Sequence, residues 1–219
     1  MSAHILLINP NSSRATSDMM VAIARRAASG RMAVAVATAM RNPPMIVTPK
    51  QLEASAAEVV EIGQKHDAGC RGIVVSAFGD PGLAALKQRL DIPVIGICEA
   101  SMIEASKNGR RFGVATTTPE LIQAIDDRAR DLGVWPQYTG IRCTSGDPLA
   151  LSAQPERLLS ALGEAVRQCI EEDGAEAVII GGGPLGQAAD ELQPMFSTPI
   201  IAPIPSAIGR MLDLMQVAA

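Results

Sequence analysis

The 219-residue chain is 47% apolar and carries 19 basic and 23 acidic residues, which gives a formal net charge of −4. A chain of this length and apolar content can bury a full core, as one large α/β domain or two small ones. The balanced charge, with no block of like charges, and the presence of only five aromatic residues argue against binding of nucleic acid or an anionic membrane. We therefore expect a small-molecule substrate as the partner, with no nucleic acid and no membrane.

The cysteine and histidine content argues against a metal cage or a disulfide framework. The chain has two histidines, and its four cysteines show no CxxC spacing: they are Cys70, Cys98, Cys143 and Cys169. We expect buried thiols, no metal and no other cofactor. The N-terminal apolar run is too short for a signal peptide, and no later run reaches the roughly 20 apolar residues of a membrane span. These features predict a cytoplasmic protein.

Short apolar runs alternate with helical patterns along the whole chain. The predicted elements begin with strand 4–8, helix 15–28, strand 32–39, helix 51–65, strand 73–75, helix 82–88 and strand 94–97. They continue with helix 99–107, strand 112–115, helix 120–132, strand 135–142, helix 155–170, strand 178–180, helix 186–191, strand 200–202 and helix 206–217. Such alternation predicts an α/β fold with parallel sheets and right-handed crossover connections.

An internal repeat divides these elements into two halves. The segment 72–77 resembles 177–182, 93–96 resembles 199–202, and 6–9 resembles 113–116, all at nearly one common offset. We expect two pseudo-symmetric α/β halves, formed by 1–98 plus 206–219 and by 99–205. The ends of equivalent strands should then face each other across a cleft, which holds the active site.

The loops after these strands contain the candidate binding residues, because ligands of open α/β sheets bind beyond the carboxyl ends of the strands. The candidates are Asn9, Asn11, Ser13, Ala77, Phe78, Gly79, Thr116, Thr117, Thr118, Gly182, Gly183 and Pro184. The Asn, Ser and Thr residues also form turns and helix caps, which is the alternative interpretation. The glycine run lacks the spacing of a P-loop, so its free N–H groups suit a carboxylate or a ring carbonyl better than a nucleotide.

Four residues of the same region are candidate catalytic groups, and each also has a structural interpretation. They are Ser76, Asp80, Cys98 and Glu99. Asp80 and Glu99 are placed where helix caps and first-turn acids occur, and Cys98 is typical of a buried thiol.

Four motifs in order along the chain carry a family resemblance. They are INPNSS at 8–13, AFGDPGL at 77–83, IPVIGICEA at 92–100 and RRFGVAT at 110–116. The chain resembles the hydantoin and allantoin racemase branch of the aspartate/glutamate racemase superfamily. The resemblance implies two α/β halves with the active site between them, a hydantoin, ureide or small carboxylate as substrate, and no cofactor. We also expect a homo-oligomer, whose size the sequence does not define.

The resemblance further implies two catalytic cysteines, one in each half, which act as thiolate base and thiol acid on opposite faces of a carbon beside a carbonyl. Motif alignment places these cysteines at Ala77 and Gly182, neither of which can carry a proton. Racemisation by two thiols is therefore not expected. Three alternatives remain: another reaction on a related substrate, such as hydrolysis, desulfuration or decarboxylation; an engineered replacement of cysteine at Ala77; or a small-molecule binder without turnover.

Overall fold

The computed structural model describes residues 2–217, which form two parallel sheets with helices packed against them. The first half consists of β1 (His4–Asn9), α1 (Arg14–Ala28), β2 (Ala33–Thr38), α2 (Pro49–Gln64), β3 (Cys70–Val75), α3 (Leu83–Arg89) and β4 (Val94–Gly96). There follow α4 (Ile97–Ala105), β5 (Phe112–Thr116), α5 (Ile122–Asp131), β6 (Tyr138–Cys143), α6 (Pro148–Ser152), α7 (Pro155–Glu171), β7 (Ala177–Gly181), α8 (Gly186–Leu192), β8 (Ile200–Ile201) and α9 (Pro203–Val217).

The two sheets have the same topology. Their strand orders are β2-β1-β3-β4 and β6-β5-β7-β8, and the described strand pairs are parallel. In this arrangement β1 is equivalent to β5, and β3 is equivalent to β7. The predicted α/β fold with two pseudo-symmetric halves is confirmed, and the repeat in the sequence corresponds to one sheet in each half.

Capping side chains fix the starts of the two longest helices of the first half. The Ser13 hydroxyl accepts the Thr16 N–H at α1. At α2, Thr48 and Gln51 form a capping box, in which each side chain accepts a backbone N–H of the other end of the turn. Both helices therefore begin directly after the loops that follow β1 and β2.

The core is divided by α4, which contacts both sheets. Ile97 and Ala100 pack in the apolar cluster of the first sheet, whereas Cys98 and Met102 pack with residues of the second. The C-terminal helix α9 packs in the cluster of the first sheet and against α1 and α4. This packing supports our proposal that the C-terminal helix belongs with the first half. Over residues 2–217, no helix is both long enough and apolar enough to cross a membrane.

Several predicted boundaries require correction. Ile97, predicted to end a strand, is the first residue of α4, because the buried Asp80 carboxylate accepts the N–H groups of Cys98 and Glu99 and so starts a helix there. The last helix begins at Pro203, earlier than predicted, since proline is well suited to a first helical turn.

Two other segments form tight turns in place of the predicted regular elements. Residues 119–121 and 135–137 are single 3₁₀ turns, each containing a proline, so that α5 and β6 begin later than predicted. The short helix α6 was not predicted. It has only five residues, too few for an apolar periodicity to be visible in the sequence.

Candidate active site

A cavity of about 370 Å³ lies between the two halves, at the carboxyl ends of the strands. Its lining residues follow β1, β3, β5 and β7, with additions from neighbouring loops and helices. They are Asn11, Ser13, Thr16, Met19, Pro44, Met45, Ile46, Leu52, Ser76, Ala77, Phe78, Thr117, Thr118, Leu121, Pro148, Leu149, Ser152, Leu158, Gly181, Gly182, Gly183, Pro184 and Leu185. The side chains of this lining are hydroxyls, one amide and apolar groups.

The loop after β1 is held by Asn9, which is buried and does not line the cavity. Its Nδ2 lies 3.0 Å from Asn11 Oδ1 and 2.9 Å from Ser17 Oγ, and its Oδ1 accepts the Asn11 N–H. Asn11 Oδ1 in turn accepts the Ser13 N–H. Asn9 therefore orients the lining residues Asn11 and Ser13 from behind.

The turn after β3 supplies a buried hydroxyl. Ser76 is only 2% exposed, and its Oγ lies 3.1 Å from Met20 Sδ. A thioether is a weak hydrogen-bond acceptor, so the Ser76 hydroxyl can turn to a ligand at little cost. Ala77 and Phe78 follow it on the cavity wall.

The turn after β7 approaches the Ser76 turn closely. A Cβ atom at Gly183 would lie 2.6 Å from Met20 Sδ and 3.3 Å from Ser76 Oγ. A Cβ atom at Gly182 would meet the Leu185 side chain at 3.0 Å, and the φ of 160° at Gly182 is extended backbone open to any residue. A side chain at 183 would therefore have to displace Met20, whereas 182 has room for a side chain if Leu185 moves slightly.

The loop after β5 contains one structural and two lining threonines. The Thr116 hydroxyl is buried and donates to Gly181 O at 2.7 Å, which joins the ends of β5 and β7. Thr117 and Thr118 line the cavity. Thr116 itself does not line the cavity, but its hydroxyl contacts the lining residues Gly181 and, at 3.4 Å, Thr118.

Asp80 lies behind the Ser76 turn, with its side chain completely buried. Its carboxylate accepts the N–H groups of Cys98 and Glu99 at 2.9 and 2.8 Å, and Arg128 lies 3.4 Å away. Burial raises the pKa of Asp80 to about 6, although Arg128 and the two N–H donors oppose this rise. Burial also raises the pKa of the Cys98 thiol well above its usual value, so it is a poor source of thiolate.

Glu99 also lies outside the cavity lining, and its carboxylate is engaged by cationic side chains. Its two carboxylate oxygens lie 2.8 and 2.6 Å from Lys87 Nζ, and Arg128 is 3.6 Å from one of them. All four cysteines are free thiols; Cys70, Cys98 and Cys169 are buried as predicted, whereas Cys143 is only partly buried, contrary to the prediction. In the part of the chain that the structure describes, no group of three or more His, Cys, Asp and Glu side chains could hold a metal ion.

Comparison with known proteins identifies the family of this fold. The family model for Asp/Glu/Hydantoin racemase matches residues 5–211. The chain belongs to this family. The curated hydantoin racemase of Rhizobium meliloti is 32% identical over 212 residues, covering 94% of this chain and 86% of that protein.

Two solved structures of the family are close in fold. The allantoin racemase from Klebsiella pneumoniae superposes with a TM-score of 0.92 at 28% identity, over 99% of this chain and 89% of that one. The allantoin racemase from Pseudomonas fluorescens has a TM-score of 0.93 at 21% identity, over 98% of this chain and 92% of that one, which is a likeness of fold alone.

The structure of this racemase-family chain separates the candidate site residues into two groups. Those that line the cavity are Asn11, Ser13, Ser76, Ala77, Phe78, Thr117, Thr118, Gly182, Gly183 and Pro184. Those outside its lining are Asn9, Gly79, Asp80, Cys98, Glu99 and Thr116. Asn9 and Thr116 orient lining residues, while Asp80, Cys98 and Glu99 cluster at the start of α4 because the Asp80 carboxylate caps that helix.

Sequence reasoning missed most of the apolar lining. Pro44, Met45 and Ile46 lie in the loop after β2, and Leu149 lies on α6 at the mouth of the cavity, where it is 54% exposed. These segments follow β2 and β6, which are equivalent in the two sheets but do not belong to the repeat seen in the sequence. The one available signal was the apolar character of these loop residues, which is too common to single out a site.

Proposed function

We propose that the chain is a cofactor-independent enzyme that acts on a small hydantoin-like or amino-acid-derived carbonyl compound, without a pair of catalytic thiols. The observation that carries the proposal is that Ala77 and Gly182 line one cavity at equivalent strand ends. Proton exchange on two faces of a carbon needs two groups that can carry a proton. Methyl and hydrogen substituents at these positions cannot do so.

The polar lining is suited to a carbonyl group. The hydroxyls of Ser76 and Thr117 come from opposite halves and line the same cavity, together with the backbone of Gly182 and Gly183. Hydroxyl and backbone N–H donors stabilise negative charge that develops on a carbonyl oxygen. Hydrolysis, decarboxylation and desulfuration of a ring all belong to the reactions that such a pocket can support.

The rest of the lining favours a neutral ring with an apolar substituent. Phe78, Leu121 and Ile46 contribute apolar walls, and among the described residues none of those lining the cavity carries a formal charge. A zwitterionic amino acid would leave two charges without partners there, which is costly in a buried site. The names of the relatives, hydantoin racemase and allantoin racemase, also support a cyclic ureide.

A substrate panel tests this proposal. The protein is incubated in D₂O with 5-substituted hydantoins, thiohydantoins, allantoin and arylmalonates, and the products are followed by mass and by chiral chromatography. We expect a change of mass for one of these classes, without exchange of the α-hydrogen of the hydantoins. Rapid α-exchange would contradict the proposal, and a thermal shift with no change of mass or chirality would make the protein a binder.

The role of Ser76 has its own test. Ser76→Ala should lower kcat/KM for the substrate found in the panel by about 10²-fold, the usual cost of removing one donor to a developing oxyanion. Ser55→Ala is the matched control, because Ser55 is also a buried serine. Its hydroxyl donates to Leu52 O within α2, and Ser55 itself does not line the cavity. Equal effects of the two substitutions would remove Ser76 from the chemistry.

A further inference from the structure

The buried cluster around Asp80 joins the two halves directly behind the cavity. Asp80 belongs to the turn after β3, and its N–H donates to the carbonyl of the lining residue Ala77 at 3.0 Å. Its carboxylate reaches Arg128 of α5 at 3.4 Å. The helix α5 continues from Leu121, which lines the cavity from the second half. One ion pair thus connects the turn that contains Ala77 with the helix that follows Leu121.

Asp80 is held in a strained conformation to make these contacts. Its φ of 54° lies in the left-handed region, which is costly for a residue other than glycine. A Cβ atom at Gly96 would lie 2.1 Å from the Asp80 carboxyl carbon, so the carboxylate occupies the space that a side chain would take. The fold therefore places this one carboxylate at the junction of the Ala77 turn, α4 and α5.

Arg128 depends on this carboxylate for its contact with the first half. It lies 3.4 Å from Asp80 and 3.6 Å from Glu99, and its other acidic neighbour is Asp131 of its own helix. Among the residues that the structure describes, the buried Nε atom of Arg128 has no hydrogen-bond partner. Glu99 is already engaged at both oxygens by Lys87.

We propose that the Asp80–Arg128 ion pair is a pH-sensitive clamp that sets the approach of the Ala77 turn to the 117–121 segment across the ligand cavity. The groups around the Asp80 carboxyl are Cys98 and Glu99 on α4 and Arg128 on α5. Beyond them, Lys87 on α3 pairs with Glu99, and Asp131 on α5 pairs with Arg128. A proton from solvent converts one carboxylate oxygen into a hydroxyl. Two N–H groups and a guanidinium then compete for a single strong acceptor, and the contact with Arg128 is released.

The pH range follows from the surroundings of the carboxyl. Burial brings the pKa of Asp80 to about 6, within a range where proteins commonly function. Arg128 lowers this pKa, so its removal should move the midpoint upward. The inference rests on the proposed ligand cavity but not on the reaction carried out there.

An NMR titration of the ligand-free protein between pH 4.5 and 8 tests the clamp. The probes are the Asp80 carboxyl carbon and the amides of Ala77, Gly79, Thr117 and Thr118. His4→Gln and His66→Gln are included in the background, so that the protein contains no histidine. We expect one common midpoint near 6 for the carboxyl and for amides of both halves. If the chemical shifts of the Thr117 and Thr118 amides did not change with this midpoint, the proposal would be overturned. This measurement needs no variant of Asp80.

Variants separate the clamp from a merely structural role. Asp80→Asn should abolish the inflection of the titration curves. Arg128→Gln should raise the midpoint and remove the response of the Thr117 and Thr118 amides. Arg128→Lys should retain the common response of both halves. Arg130→Gln is the matched control on the same helix, since Arg130 pairs with Asp127 and stacks on Trp135. An unchanged midpoint in Arg128→Gln would overturn the proposal.

Ligand binding gives a second measurement. The affinity for 5-benzylhydantoin, measured by calorimetry, should be about tenfold weaker at pH 5 than at pH 7.5, because about nine-tenths of a group is protonated one unit below its pKa. In Asp80→Asn the affinity should not change with pH. A complete lack of binding at every pH would count against the proposed substrate class, while the amide titration decides the clamp.

Discussion

The turns after β3 and β7 occupy equivalent positions in the two sheets but are held in different ways. The first is anchored by side chains, through the contact of Ser76 with Met20 and the capping of α4 by Asp80. The second consists of glycines, and its contacts are made by backbone: Gly181 O accepts the Thr116 hydroxyl. The first turn is thus the fixed wall of the cavity, and the second is shaped to fit against it.

The glycines of the second turn are explained by this fit. A Cβ atom at Gly181 would lie 2.8 Å from Val114 Cγ1 and 3.3 Å from the ring of Phe78, which reaches over from the first half. Gly183 is similarly confined by Met20 and Ser76. Gly182, between them, has the most room, because the nearest atom to a Cβ there is Leu185 Cδ1 at 3.0 Å. The position where the family resemblance implies a cysteine is therefore the one that tolerates it best.

Restoring a thiol to each turn should give the largest effect. The variant Ala77→Cys with Gly182→Cys should racemise 5-benzylhydantoin, and faster than either single variant by roughly 10²–10⁴-fold, the usual contribution of a general acid or base. The reason is that proton removal and return on opposite faces need both groups. Chiral chromatography of a reaction started from one enantiomer measures it.

The control for the restored thiols is the pair Ala77→Ser with Gly182→Ser, which adds side chains of similar size without an easily ionised group. It should remain inactive in racemisation. Equal racemisation by the serine and cysteine pairs, or by a single cysteine variant, would contradict the equivalence of the two turns.

The part of the site that the sequence predicted is the part encoded by the repeat. Ser76 and Gly182 could be found because a buried strand ending in small residues occurs twice, and the sheet topology fixes where such ends meet. Leu149 could not be found, since α6 is a short helix whose position depends on tertiary packing.

The sequence also did not reveal where the Asp80 carboxylate points. In the sequence, an Asp80 that caps the helix after its own turn cannot be distinguished from an Asp80 that caps α4. The left-handed backbone at Asp80 decides between the two.

A methyl group on the second turn should disturb the fit between the walls more moderately. Gly183→Ala should lower the free energy of unfolding by about 1–3 kcal/mol, the usual cost of overpacking, and weaken hydantoin binding. Gly186→Ala is the matched control, because a Cβ atom there would meet Ile23 Cδ1 at an ordinary 3.4 Å. Urea unfolding and thermal shift compare the two variants. If Gly183→Ala were as stable as Gly186→Ala, the close approach of the turns would be refuted.

The anchoring of the first turn by Asp80 should appear as a small pH dependence of stability. Burial raises the pKa of Asp80 from 3.8 to about 6, so between these values the native state binds more protons than the unfolded state. The contribution of Asp80 to the free energy of unfolding should then fall as pH rises from 3.8 to about 6, by at most about 1.4 kcal/mol per pH unit, and stay constant above. Urea unfolding at pH 4, 5, 6 and 7 should show this as a declining difference between wild type and Asp80→Asn.

Asp173 provides a control of opposite sign for this measurement. Its hydrogen bonds with Arg142 lower the pKa of Asp173 below 3.8, so the stability it contributes is present above that value and is lost as pH falls through the lowered pKa. The difference between wild type and Asp173→Asn, measured down to about pH 3, should therefore be constant from about pH 5 to 7 and decrease progressively below about pH 5. Should the Asp80 difference follow this second pattern, its carboxylate would be stabilised by its partners more than it is penalised by burial, and the first turn would be held by an ordinary ion pair.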